Sequence, residues 1–201
     1  MNKTDTIINK LEKAGLITVV VIWILRAWFG PVFNFSLLVT TTLLAVYYLW
    51  FGFFIFNKLQ PADLLQHQIR QSITPFQVTT SILMGIITSY ALIAIIFGFF
   101  FFPGIQTAII SAYVLIGVFT CLMLVHHILK KKKLPFCRRF YVRITVIGFF
   151  LLLLGAPPPE YRLQLLFKDY PEFQQAYLEY RKNPDCEETK NRLREERSQF
   201  R

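Results

Sequence analysis

Phe35 to Phe56 and Gln77 to Phe102 each run the length of a membrane-crossing helix without one charged side chain. A hydrocarbon core about 30 Å thick takes roughly 20 apolar residues as a helix, so such runs have few other stable solutions. Ile105 to Leu129 is a third run, interrupted only near its end by His126 and His127. Composition agrees. Hydrophobic residues make up 54% of the chain, 21 of its 201 residues are Phe and the mean hydropathy is +0.44, too apolar for one or two soluble domains.

Two further runs are short and carry an arginine near one end. Ala14 to Phe29 contains Arg26 and stops at Gly30-Pro31; Phe140 to Ala156 contains Arg143 and stops at Pro157-Pro158-Pro159. Proline ends a helix, and an arginine close to a terminus can extend its stem to the headgroups. No small-x-small cleavage pattern precedes Arg26 and Trp28, so the first run reads as a retained span and not a signal peptide. The expected fold is all-α: a polytopic helical membrane protein with five transmembrane helices near 14–29, 35–56, 77–102, 105–129 and 140–156, or four if the last is re-entrant. Residues 1–156 form the membrane domain and 157–201 a polar tail.

Charge orients this arrangement. Residues 1–156 hold thirteen of the 22 lysines and arginines but only Asp5, Glu12 and Asp63 as acids, whereas the tail holds nine bases and nine acids. The bases cluster at the N-terminus (Lys3, Lys10, Lys13), between the second and third runs (Lys58, Arg70), and in the loop Lys130, Lys131, Lys132, Lys133, Arg138, Arg139, Arg143; the other two turns have none. In a five-span chain all three basic segments share one side, which the positive-inside rule makes cytoplasmic. The location expected is a bacterial-type inner (plasma) membrane with a cytoplasmic N-terminus. The loop reads as topogenic, its attraction to anionic lipid adding to the effect. Bases that flank apolar runs do not form the folded basic face that nucleic acid requires, so no nucleic-acid partner is expected.

Nothing in the spacing assembles chemistry. Cys121, Cys137 and Cys186 lie far apart without C-x-x-C spacing. His126 and His127 point about 100° apart on a helix, with no ligand one turn away, so no metal and no other cofactor is predicted. Nucleophile elbows, Walker loops, zincin helices and dinucleotide turns are all missing, and the reading leans away from an enzyme, with no catalytic residue nominated. A proton-coupled transporter needs a titratable group within a span, and these span boundaries enclose no Asp or Glu.

Packing signals are more explicit. The turn Pro103-Gly104 makes the third and fourth runs antiparallel neighbours, which brings the pairs Ala94/Gly98 and Ala108/Ala112 to one level as a close helix–helix contact. A second small-residue row, Ser81, Gly85 and Ser89, has no level partner on the fourth run. Between the second and third runs, Leu65, Ile69, Ile73 and Phe76 fit either a short amphipathic helix at the cytoplasmic interface or a polar loop with scattered leucines. In the tail, Pro171 opens a helix with the stripe Phe173, Ala176, Tyr177, Tyr180; Asp185 and Glu188 are spaced as a capping box for a second, with Glu188 and Arg192 as an ion pair. The two make a helical hairpin. By elimination the chain is expected to be a structural or accessory membrane subunit that docks partners, either other membrane proteins or itself, beside the lipid bilayer. The alternative is an oligomeric channel or transporter component.

Overall fold

The computed structural model describes residues 7–102, 104–130 and 135–198. Every regular element among them is helical. The order is α1 (Ile7–Phe29), a 3-10 turn (Gly30–Phe33), α2 (Asn34–Asn57), a second 3-10 turn (Pro61–Leu65), α3 (His67–Ser72), α4 (Pro75–Phe100), α5 (Ile105–Lys130), α6 (Pro135–Gly155), α7 (Pro159–Leu166), α8 (Pro171–Lys182) and α9 (Glu187–Ser198).

Three helices are long and apolar enough to cross a membrane: α2, α4 and α5 over Ile105–His126. The number rises to four if α6 and α7, bent by 104° at the proline break, are taken as one broken element. The helices are compatible with a multi-pass membrane protein, and so is the surface. Ile110, Val114, Val118 and Leu122 of α5, with Val142, Val146, Phe149 and Leu153 of α6, face outward on helices apolar nearly all round. Soluble proteins seldom leave continuous apolar faces of that extent in water.

α4 is the axis. It packs on α2, α5 and α6, while α1 lies against α2. Its first turn is set by Thr74, whose Oγ1 accepts from the Gln77 backbone N–H at 3.2 Å, with Pro75 at the first helical position. The closest approach is to α2. A Cβ built on Gly85 would lie 2.6 Å from the Tyr48 carbonyl oxygen, and one built on Gly52 would lie 2.7 Å from the Gly85 Cα, so only hydrogen fits at either position. The row of Ser81 and Gly85 therefore meets α2, where the Asn57 amide donates to Ser81 Oγ at 2.9 Å and the Gln77 amide donates to Asn57 Oδ1 at 2.5 Å. Backbone proximity and a polar ladder hold α2 against α4, the kind of contact by which helices associate in lipid.

The expected contact of Ala94 and Gly98 with Ala108 and Ala112 is corrected at Gly98. The three atoms nearest to a Cβ on Gly98 all belong to Leu154 of α6, the closest at 2.8 Å, so Gly98 belongs to the α4–α6 seam. Ala94 and Ala112 are buried and Ala108 is half-buried, but the polar link between α4 and α5 is Tyr90 Oη to Ser111 Oγ at 2.6 Å. Equal depth along two neighbours says nothing about which face each helix turns to the other once a third helix competes for it.

The amphipathic helix, one of the two readings of Leu65 to Phe76, is also corrected. The Gln60 N–H donates to Asp63 Oδ2 in a reciprocal capping box, which winds Pro61–Leu65 as a 3-10 turn; α3 starts again at His67 and ends before Pro75, which forces Thr74 into an extended conformation. Leu65 is left 89% exposed. Phe101 closes α4 in the left-handed region (φ 50) although it is a bulky residue and wholly buried. That conformation costs an L-residue about 1 to 2 kcal/mol and persists only where the surroundings over-determine it.

Those surroundings are the tail. Leu163, Phe167, Phe173, Ala176, Tyr177 and Leu193 form a small core that includes Phe101. The stripe expected on α8 is therefore buried, with Tyr180 packed at its edge. The second tail helix differs in detail. It begins at Glu187, so Asp185 lies in the preceding turn, and Arg192 reaches Glu179 of α8 at 2.5 Å, making an ion pair across the hairpin where one within the helix was expected.

Gly52→Ala or Gly85→Ala should lower the unfolding temperature in detergent, by an overpacking cost of about 1 to 3 kcal/mol. Gly117→Ala, at a position with nothing within 4 Å of the added carbon, should leave it unchanged or raise it. Equal effects at the three sites would contradict the close α2–α4 approach.

Candidate functional site

Charged side chains collect at both ends of the bundle, and they are handled differently. At the end where α1 begins and α2 finishes, Glu12 is 1% exposed. Arg143 of α6 donates to it twice, from Nε to Oε1 and from Nη2 to Oε2 at 2.5 Å, and Tyr48 of α2 donates its hydroxyl to Oε1 at 2.6 Å. The Arg143 guanidinium also lies 5.2 Å from the centre of the Phe56 ring. Bidentate geometry of this kind is the strongest an arginine makes with a carboxylate, and here it ties three helices together. Two sequence expectations are corrected by it. Arg143 turns inward and does not extend to headgroups, and a helix of the bundle does contain a carboxylate. α1 begins about two turns before the apolar run it was read from, which takes Glu12 into the helix.

At the opposite end the buried charges among the described residues are all positive. Arg26, only 2% exposed, donates from Nε to Asn34 Oδ1 at 2.6 Å and from Nη2 to the Leu166 carbonyl at 3.1 Å, with its guanidinium 5.6 Å from the Phe167 ring centre. It too was expected among headgroups; α7 covers it. Arg162 of α7 donates to the Leu154 carbonyl at the end of α6 and stands 5.7 Å from the Phe101 ring. Arg197 of α9 donates from Nη2 to the Phe101 carbonyl at 2.8 Å and stands 5.2 Å from the Phe102 ring. The arrangement recurs three times: a guanidinium, a backbone carbonyl at a helix end or loop, and a phenylalanine face. Carbonyls at helix C-termini carry partial negative charge and lack intrahelical donors, and aromatic faces attract cations.

No carboxylate among the described residues pairs with Arg26, Arg162 or Arg197. Burial pushes Arg162 and Arg197 below the usual arginine range and raises the Tyr177 hydroxyl beside them. Both arginines stay cationic at neutral pH all the same. The Nε atoms of Arg162 and Arg197 are buried without an acceptor. Next to this seam lies an apolar cavity of about 400 Å3, walled by Phe35 and Leu38 of α2, by Phe100 and Phe102 at the end of α4, and by Phe167 and Phe173 of the tail. Asn34 and Arg197 supply its polar atoms.

The basic loop nominated from sequence falls mostly outside this account. Lys131, Lys132 and Lys133 lie outside the described residues, as do the side chains of Lys130, Arg138 and Arg139; Arg143 alone is described, and it serves Glu12. The His126 ring stacks on Phe76, with centroids 4.0 Å apart. No group of three or more His, Cys, Asp or Glu among the described residues is placed to hold a metal ion.

The comparisons add nothing to this geometry. No known protein family, curated protein or solved structure matches the chain.

Glu12→Gln should destabilise the protein by about 3 to 5 kcal/mol, because it leaves the Arg143 charge buried without its partner. Combining Glu12→Gln with Arg143→Met should recover much of that loss. Thermal unfolding of the single and double variants in one detergent checks it, and additive losses would mean that the pair is not coupled.

Proposed function

We propose that this chain is an integral membrane protein with a structural or accessory role, which crosses the bilayer five times through α1, α2, α4, α5 and α6 and presents α7 to α9 as a folded cap on one face. The observation that carries this reading is the Glu12–Arg143–Tyr48 network. It accounts for the charges that make α1 and part of α6 look too polar to cross, and it keeps them away from lipid. Outward residues support it: Ile17, Val21 and Ile24 on α1, and Val146, Phe149 and Leu153 on α6, are exposed as on the longer helices. With the basic ends cytoplasmic in a bacterial-type inner membrane, an odd number of crossings puts the cap outside.

The cap spends its apolar stripe on its own core and on Phe101. Its outer face carries the ion pairs Arg181–Glu160 and Arg192–Glu179, with a shallow polar cleft that includes Glu179, Lys182, Glu188 and Arg192. Docking of another membrane protein would therefore use mixed charge, which suits a reversible contact. A transporter component is the second reading, favoured by a carboxylate inside the bundle. Glu12 fits that role less well, because Arg143 and Tyr48 already occupy both its oxygens.

Cys186 is exposed on the cap. In a Cys121→Ser/Cys137→Ser background it should react with an impermeant thiol reagent in intact cells; reaction only after lysis would remove the five-span topology. Native-detergent purification followed by identification of bound proteins tests the role. A Lys182→Glu/Glu188→Lys chain should lose its partner without a fall in unfolding temperature, whereas a chain that purifies alone and passes ions in liposomes favours the channel.

A further inference from the structure

The cavity under the cap and the three arginines beside it do not complete each other. The cavity is walled by the first turns of α2 and the last turn of α4, helices apolar enough to cross a membrane, so it sits where the hydrocarbon ends. Phe35 on its wall is 76% exposed, so no described residue closes the cavity over that ring and a leaflet can reach it there. Its volume falls in the range of ligand pockets, roughly 300 to 1,000 Å3, and nearly all of its lining is apolar. Yet its one charged lining residue among those described is a cation. Arg197 has one described acceptor, the Phe101 carbonyl, and its Nε has none. Arg26, a neighbour through Asn34 and Phe167, adds a second positive charge that no described carboxylate pairs with, while Arg162 beyond it has Glu160 nearby.

We infer that the cavity takes one acyl chain of an anionic phospholipid from the cap-side leaflet, with the phosphate at Arg197. The chemistry selects this occupant. An apolar molecule would fill the volume and leave the guanidinium with the Phe101 carbonyl as its one acceptor, free phosphate would serve the guanidinium and leave the volume empty, and a cationic amphiphile would meet the like charge of Arg197 with Arg26 close by. A phosphodiester supplies acceptor oxygens for the donors that remain on Arg197, in the charge-assisted geometry that arginine favours. The site also explains a cap folded onto the membrane end: lipid and cap share Phe167 and Phe173, so a bound lipid tightens the cap. The inference rests on the membrane reading but not on the number of crossings.

The test uses the full chain, delipidated in detergent, with binding read by native mass spectrometry and by the shift in unfolding temperature. Phosphatidylglycerol should bind at least tenfold more tightly than phosphatidylcholine of the same chains, while inorganic phosphate alone should give no shift. Arg197→Gln should abolish that preference, Arg197→Lys should keep most of it, and Arg194→Gln, exposed on the same helix, should not alter it. Leu38→Trp, which fills the cavity, should reduce retention of both lipids. Equal affinity for the two lipids in the unaltered chain, or a preference that survives both Arg197→Gln and Leu38→Trp, would overturn the site. A shift with phosphate alone would reduce it to an anion site, and tighter binding of a free fatty acid would identify a different amphiphile. Because Cys186 labelling reads topology separately, a failure there with the lipid preference intact would remove the five-span reading and leave the site standing.

Discussion

Charge buried inside a helical bundle has no water to fall back on, and most of this architecture follows from that constraint. Glu12, Tyr48 and Arg143 come from three helices, and each is a liability taken singly. Together they close a network in which both carboxylate oxygens accept and the guanidinium rests against Phe56. Once Glu12 must meet Arg143, the depth of α1 relative to α6 is fixed, and the Tyr48 hydroxyl fixes α2 against both. The Gly52–Gly85 approach then sets the distance from α2 to α4. A hydrophobic core in water tolerates sliding far better than this does, because apolar contacts are non-directional and a buried ion pair is not.

The other end solves a different difficulty. Helices that finish within the bundle leave carbonyls without donors, and Leu154, Leu166 and Phe101 are such positions. Arg162, Arg26 and Arg197 supply donors to them, each beside a phenylalanine ring that favours a cation. This cross-bracing makes the cap an integral part of the fold, since its arginines satisfy the bundle and the bundle's Phe101 fills the cap's core. The left-handed backbone at Phe101 fits the same account. It turns the ring into the tail and offers the carbonyl to Arg197, and those contacts offset its local cost.

Much of the helical layout was readable in advance because lipid-compatible helices announce themselves in one dimension. The runs from Phe35, Gln77 and Ile105 fall in α2, α4 and α5, and Pro171 with its i, i+3, i+4 stripe located α8. The functional residues were much less readable. Glu12 stood before the apolar run used to place the first helix, and nothing marked it except that it was an acid within reach of a helix start. Asn34, Arg162 and Arg197 looked like ordinary polar residues at a turn and in a charged tail. Their importance comes from the partners that packing gives them, Arg197 meeting the Phe101 carbonyl 96 residues away and Arg162 the ring of that same Phe101, for which a single sequence carries no local signal.

The sequence by itself determined which helices are apolar enough to cross a membrane, their approximate bounds and the asymmetry of charge, because these depend on runs and periods along one chain. Only the tertiary structure decided that Gly98 serves α6, that Arg26 and Arg143 turn inward, and that the cap closes over a phenylalanine cavity. The physical reason is competition. A glycine admits whichever helix arrives, and an arginine with a flexible stem reaches headgroup, carboxylate or carbonyl at similar cost. The choice among them is made by the partners that packing brings within a few ångströms, and that information is held by the whole fold.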